Sequence, residues 1–170
     1  MLDGFENVKV PPDVLAKKIM EALDIKPTDK VLEVGCGAGM LARHIAPNCQ
    51  YYGIDITNSL LTKHRKLLDN DVIHAEANNI PFKWKFFDKS FSYSVFHYFP
   101  NREYVKESIN EMKRVTKGSI FIGDLPRVSN RREHLLFDEK EIADELIYGI
   151  ISKGYHDKNR FNVLKCQKCY

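Results

Sequence analysis

The stretch VLEVGCGAGM, residues 31–40, sets Gly35, Gly37 and Gly39 within five positions, directly after an apolar run that reads as a buried strand. Glycine tolerates positive φ and lets a ligand approach the main chain without meeting a Cβ. In an open parallel sheet, ligands sit beyond the carboxyl ends of the strands where the strand order reverses, and the exit of the first strand is the usual place. A second signal lies at the end of the next strand-like run, QYYGID: Asp55 stands twenty residues after Gly35. A carboxylate at that spacing accepts the two hydroxyls of a ribose. Loop and carboxylate together point to a nucleoside-bearing ligand.

Working outward from this loop, strand-like and helix-like segments alternate along the chain. Pro11, Pro12 and Asp13 open an amphipathic run through residue 23, a helix with proline in its first turn. Strands are expected over 30–34, 50–55, 71–77 and 119–125, and a closing strand over 160–166. Helices are expected over 40–46, 58–68 with Asn58 or Ser59 as cap, 102–115 and 140–151. The aromatic segment 84–96 fits a strand followed by a loop. Strands joined by helices of about ten residues imply parallel pairing with right-handed crossovers and helices on both sheet faces.

The 170 residues, 44% hydrophobic, fit one domain. Its expected parts are an amino-terminal helical region (1–29), a ligand-binding core (30–123) and an acceptor-side and closing segment (124–170). The 26 Lys and Arg nearly balance 23 Asp and Glu, and the net charge of +3 carries no dense basic stripe in the sequence. Nucleic acid is therefore not the expected partner. No apolar run reaches the ~18 residues of a membrane helix, and the amino-terminal residues lack the pattern of a signal peptide. A cytoplasmic location is the expectation, which agrees with four unevenly spread cysteines. Cys166 and Cys169 have zinc half-site spacing without a second pair, so no metal is expected.

The dinucleotide fingerprint G-x-G-x-x-G would place its third glycine at position 40, which is Met40. The spacing G-x-G-x-G, with Glu33 two residues ahead, instead resembles the cofactor loop of the class I, Rossmann-like S-adenosylmethionine-dependent methyltransferases. The resemblance extends over about residues 28–123. GIDIT resembles the family's ribose segment, AEANNIPF its third-strand segment, and FFDKSFSYSVFHYF its fourth strand and exit. It implies a doubly wound α/β fold: a mostly parallel sheet of seven strands, or slightly fewer, with helices on both faces.

The same resemblance implies S-adenosylmethionine as cofactor and a role for each matching residue. Gly35, Cys36, Gly37 and Gly39 would form the loop, and Glu33 would orient it or hold the cofactor's ammonium. Asp55 would take the ribose hydroxyls and Ile56 would lie against the adenine. Glu76 would sit near the adenine amino group, in a position where Asp is commoner in the family, and Ala77 would offer a backbone N–H to a ring nitrogen. Ser92 would lie at the exit of the fourth strand. For the acceptor side, His97 carries an imidazole, a group suited to taking a proton from a hydroxyl, and Tyr98 and Tyr93 are its neighbours. The expected acceptor is a small molecule or a saccharide, with oxygen the favoured atom. Arg127, Arg131 and Arg132, near His134, form a basic segment suited to an anionic acceptor or to solvent. The Asn-Pro-Pro-Tyr signature of amino-group methylation is absent after the fourth strand. Two alternatives stay open: a non-catalytic cofactor-binding module, and a nicotinamide-dependent oxidoreductase, which Met40 disfavours.

Overall fold

The computed structural model describes residues 10–127, 134–146, 149–155 and 159–165. Five parallel strands build the main part of the sheet: β1 (Lys30–Val34), β2 (Gln50–Asp55), β3 (Asp71–His74), β4 (Lys89–Tyr93) and β5 (Ile120–Pro126). Two antiparallel strands, β6 (Ile150–Lys153) and β7 (Arg160–Lys165), complete it, and β7 lies between β5 and β6. The strand order is β3-β2-β1-β4-β5-β7-β6. Chain direction across the sheet reverses between β1 and β4, so the Gly35–Gly39 loop leaves β1 at the topological switch point.

Alternation along the strands assigns side chains to two packed layers. Leu32, Ile54, Ile120 and Ile122 pack with helix α4 (Arg102–Val115) through Val105, Ile109, Met112 and Val115. Val31, Phe91 and Phe121 face the other way and pack with α1 (Pro12–Leu23) through Leu15, Ile19 and Leu23. Helix α3 (Asn58–Leu67) adds Leu61 to that second layer, and the short α2 (Ala42–Ile45) adds Ala42 and Ile45. Burying a large apolar side chain is worth roughly 1.5–3 kcal/mol. The helix α4 has its amino end capped by Asn101, whose Oδ1 accepts the Tyr104 N–H at 2.9 Å.

Several expected boundaries move. The segment 140–151 is a helix only as α5 (Glu139–Glu145); from Ile150 it is the edge strand β6. At that change Gly149 donates its N–H to the Ala143 carbonyl, and a Cβ on it would lie 2.4 Å from Val163 Cγ1. The helix expected over 40–46 shrinks because the glycine turn, closed by Gly39 N–H to Cys36 C=O, uses its first residues, and Pro47 follows in a 3₁₀ turn, Ala46–Asn48. β3 ends at His74, where the Ala75 N–H pairs with the Asp55 carbonyl before a turn closed by Asn79 N–H to Glu76 C=O. Within 84–96 only Lys89–Tyr93 is strand, followed by a 3₁₀ turn, Phe96–Tyr98. Thr57, rather than Asn58 or Ser59, occupies the cap position of α3. The CQKC tail lies outside the described residues, as do Arg131 and Arg132. Among the described residues no helix is long and apolar enough to cross a membrane.

Candidate cofactor and acceptor site

β1 and β2 end side by side, so their exits deliver the glycine loop and Asp55 to one place. The loop is anchored from below, where the N–H groups of Gly35 and Cys36 both donate to the Ile54 carbonyl, at 2.8 and 3.0 Å. Its glycines differ in kind. Gly35 has φ +82° and its missing Cβ would collide with Val95 Cγ2 at 2.4 Å, so it is required by packing as well as by backbone. Gly37 has φ +51°, but a Cβ there would meet nothing nearer than Leu60 Cδ1 at 3.9 Å. At Gly37 the loop has room for a Cβ, with only Leu60 in van der Waals reach.

Asp55 spans the opening. Its Oδ2 accepts the Gly37 N–H at 2.8 Å, and its Oδ1 accepts the Thr57 N–H at 2.7 Å. That second bond fixes the residue at the start of α3, whose own side chain makes no cap bond. Each carboxylate oxygen retains a further lone pair for another donor. Ile56 beside it is 60% exposed, an unusual amount for isoleucine, and its carbonyl accepts from His74 Nε2 at 2.8 Å. An apolar side chain held this way beside a carboxylate offers a flat wall to a ring.

Beneath the loop the polar groups are buried. Glu33 Oε2 accepts the Tyr51 hydroxyl at 2.5 Å. Desolvation, with the charge of Asp55 adding to it and the Tyr51 bond opposing it, pushes the Glu33 carboxyl up to about 8. Glu33 is therefore neutral at pH 7. The Cys36 thiol is packed on the Gly53 backbone and its pKa is raised by burial, so this residue can serve a ligand only through its main chain. Ser92, also buried, donates its hydroxyl to the Val34 carbonyl at 2.8 Å, tying β4 to the end of β1 rather than facing the opening.

His64 was not among the expected site residues. It is fully buried on α3, its Nδ1 donates to the Gly37 carbonyl at 3.1 Å, and its Nε2 accepts from Asn70 Nδ2 at 3.1 Å. Burial lowers its pKa, which keeps the ring neutral. The loop is thus clamped at Gly37 from both sides, by Asp55 on the N–H and His64 on the carbonyl. The available signal was a histidine three residues after Leu61, on the inward face of an amphipathic helix.

Glu76 is exposed just beyond β3, and Ala77 is nearly buried. Both adjoin Tyr104, whose pKa is raised chiefly by burial and further by Glu76, while the backbone of Ala77 and Asn78 lowers it. On the acceptor side His97 is 1% exposed, its ring 4.6 Å from that of His134 and 4.1 Å from that of Tyr98. Tyr98 itself is half exposed. Tyr93 is buried with its ring 6.4 Å from Tyr155, and burial raises its pKa further. Two residues there hold left-handed backbone without being glycine: Ser94 (φ +60°) and Asp124 (φ +64°). The Ser94 N–H pairs with the Gly123 carbonyl, while Asp124 sits in the β5 irregularity with its carboxylate on Arg160 Nη1 at 2.8 Å. Nothing in the sequence singled out Asp124, because its partner is 36 residues away.

The chain matches the family described as the methyltransferase domain over residues 32–122. It is 31% identical over 106 residues to a tRNA (carboxymethyluridine(34)-5-O)-methyltransferase of Arabidopsis thaliana, covering 62% of this chain and 26% of that protein. It is 25% identical over 159 residues to the ribosomal RNA small subunit methyltransferase A of Malacoplasma penetrans, covering 94% of this chain and 50% of that protein. The chain thus spans half or less of the length of these relatives. Among solved structures it resembles magnesium protoporphyrin IX methyltransferase from Synechocystis with bound S-adenosylmethionine, at a TM-score of 0.73 and 14% identity, over 92% of this chain and 78% of that one.

Proposed function

The chain belongs to the methyltransferase-domain family, and from that membership we propose that it transfers a methyl group from S-adenosylmethionine to a small molecule or saccharide, with oxygen the favoured acceptor atom. The observation that carries the reading is the Asp55 carboxylate spanning the bare loop at Gly37, beside the exposed Ile56. These groups fit the cofactor: a carboxylate with unused lone pairs suits ribose hydroxyls, Ile56 suits the adenine, and the room over Gly37 suits the methionine portion. Glu76 and the Ala77 N–H are assigned to the adenine edge.

When bound, the cofactor supplies a methyl group already activated on a sulfonium. What this chain must add is alignment of acceptor and methyl group, an effect worth ~7–11 kcal/mol in well-oriented systems. Glu33, neutral and bonded to Tyr51, suits orienting the loop better than neutralising an ammonium. Ser92 contributes by fixing the end of β1. Tyr98, exposed at the exit of β4, is assigned to the acceptor, with His97 behind it as a proton acceptor reached through the ring cluster. The oxygen preference draws support from the tRNA relative, named for 5-O-methylation. The expectation against nucleic acid draws none, since both curated relatives are named for RNA.

Calorimetric titration with S-adenosylmethionine, S-adenosylhomocysteine and NAD tests the core of this reading. Binding of the first two and silence toward NAD is expected, with Asp55→Ala losing at least tenfold in affinity. Tight NAD binding alone would sink it. Labelled S-adenosylmethionine with candidate acceptors then separates an enzyme from a binding module, for which label would pass only slowly to water.

A further inference from the structure

The lysines that look dispersed in the sequence converge at the end of the sheet opposite the glycine loop. Helix α4 runs back to this end, where Val115 and Arg114 carbonyls accept the N–H groups of Phe87 and Lys85. β4 starts here at Lys89, and β7 finishes here with Lys165 opposite Ile120. Lys113 lies in the last turn of α4. Lys83 and Lys85 flank Trp84, which is 70% exposed, and Lys85 Nζ lies 5.7 Å from the Trp84 ring centroid.

Of these, Lys85, Lys113 and Lys165 lie close together without being neutralised. Lys85 Nζ donates to the carbonyls of Lys113 and Thr116, and Lys113 Nζ to the carbonyl of Glu145, which are dipoles rather than charges. Burial lowers the pKa of Lys165, and the charges of Lys85 and Lys113 lower it further. Among the described residues no ion pair joins Lys83, Lys85, Lys89, Lys113 or Lys165 to a carboxylate. The carboxylate of Asp88 is taken by Lys117 at 3.1 Å and by the Lys30 N–H at 2.9 Å, and Glu111 is taken by Arg114. Self-repelling cations raise the energy of the folded chain unless an anion compensates them.

We propose that this face is a docking surface for single-stranded nucleic acid, with Trp84 stacking on a base and Lys83, Lys85, Lys89, Lys113 and Lys165 facing the phosphates. An exposed indole amid cations is the combination such binding requires, a stacking platform within a positive field. Trp84 has charged lysines on either side in the chain, so it offers one aromatic face and not the broad apolar face that a membrane-lying segment buries. The surface lies away from the cofactor loop, so it acts as a hold on a polyanion and is independent of the methyl-transfer reading.

Trp84 is the only tryptophan of the chain, so its fluorescence reports on the surface directly. The experiment titrates the full chain, without cofactor, with a twelve-nucleotide poly(U) RNA, with the matching DNA, and with phosphatidylserine vesicles. Expected are quenching of Trp84 by the oligonucleotides, a loss of affinity of about 100-fold between 50 and 200 mM salt for five phosphate contacts, and, read by the anisotropy of fluorescein-labelled oligonucleotides because these variants lack tryptophan, a loss of about tenfold in Trp84→Ala that Trp84→Phe largely restores. Lys83→Glu with Lys89→Glu, both away from the core, should weaken binding further and flatten the salt dependence. Absence of oligonucleotide binding, affinity unchanged in Trp84→Ala and in the double glutamate variant, or a response confined to vesicles would overturn the proposal.

Discussion

The two rims of the opening are built differently. On the cofactor side the chain commits main-chain atoms: Asp55 holds two N–H groups, His64 holds a carbonyl, and Gly37 presents bare backbone. On the acceptor side it commits side chains: the His97, Tyr98 and His134 rings are packed together, and Asp124 is bonded to Arg160. A ligand gripped through backbone needs few particular residues beyond glycine and one acid. A ligand gripped through side chains depends on every one of them, which is why the first rim has a sequence signature and the second does not.

Substitutions can break this contrast, the largest effect coming from the loop's anchor. Gly35→Ala should cost about 3 kcal/mol or more, since it adds a left-handed alanine to a clash with Val95; chemical denaturation measures it. Gly37→Ala should cost only about 1 kcal/mol of stability yet lower S-adenosylmethionine affinity by at least tenfold. If Gly37→Ala binds like the wild type, the bare backbone is not where the ligand lies.

His64→Ala should come next, costing about 2 kcal/mol through a lost packed ring and an unpaired Gly37 carbonyl. The wild-type residue also gives a pH signature. Its folded pKa lies below the ordinary 6.5, so at acid pH the unfolded chain binds a proton that the folded chain refuses. Its contribution is therefore complete above 6.5 and declines as pH falls below it. Glu33 has the opposite sign: with a folded pKa of about 8 against an ordinary 4.5, its contribution is complete below 4.5 and is lost as pH rises toward 8. Thermal melts of Glu33→Gln should accordingly gain on the wild type between pH 6 and 8, and the gain should grow with pH.

The smallest effect belongs to the acceptor rim. Tyr98→Phe should leave both melting temperature and cofactor affinity unchanged, because the side chain is half exposed, while lowering turnover on the true acceptor. A drop in cofactor affinity instead would move Tyr98 to the other rim.

What the sequence displayed follows the same division. Gly35, Gly37, Gly39 and Asp55 were legible because backbone conformation and a fixed strand-to-strand spacing demand them. β1 and β5 were legible because their apolar runs are buried on both faces. β6 was not, since all four of its residues are exposed and its isoleucines continue the periodicity of α5. Ser92 looked like a ligand contact because it stands at a strand exit, and its hydroxyl proved to serve the neighbouring strand. The lysine cluster was invisible because residues 85, 113 and 165 meet only once separate parts of the chain have folded together.

The placement of β7 between β5 and β6 sets an order of events during synthesis. β1 to β5 and their helices can pair as they emerge, but β5 keeps an open edge and the layer under α5 lacks Phe161 and Val163 until residue 165 has left the ribosome. Pairing over so long a loop is slow, and an open edge is an invitation to other chains. β7 is thus the strand that closes the edge of β5 and completes the layer under α5.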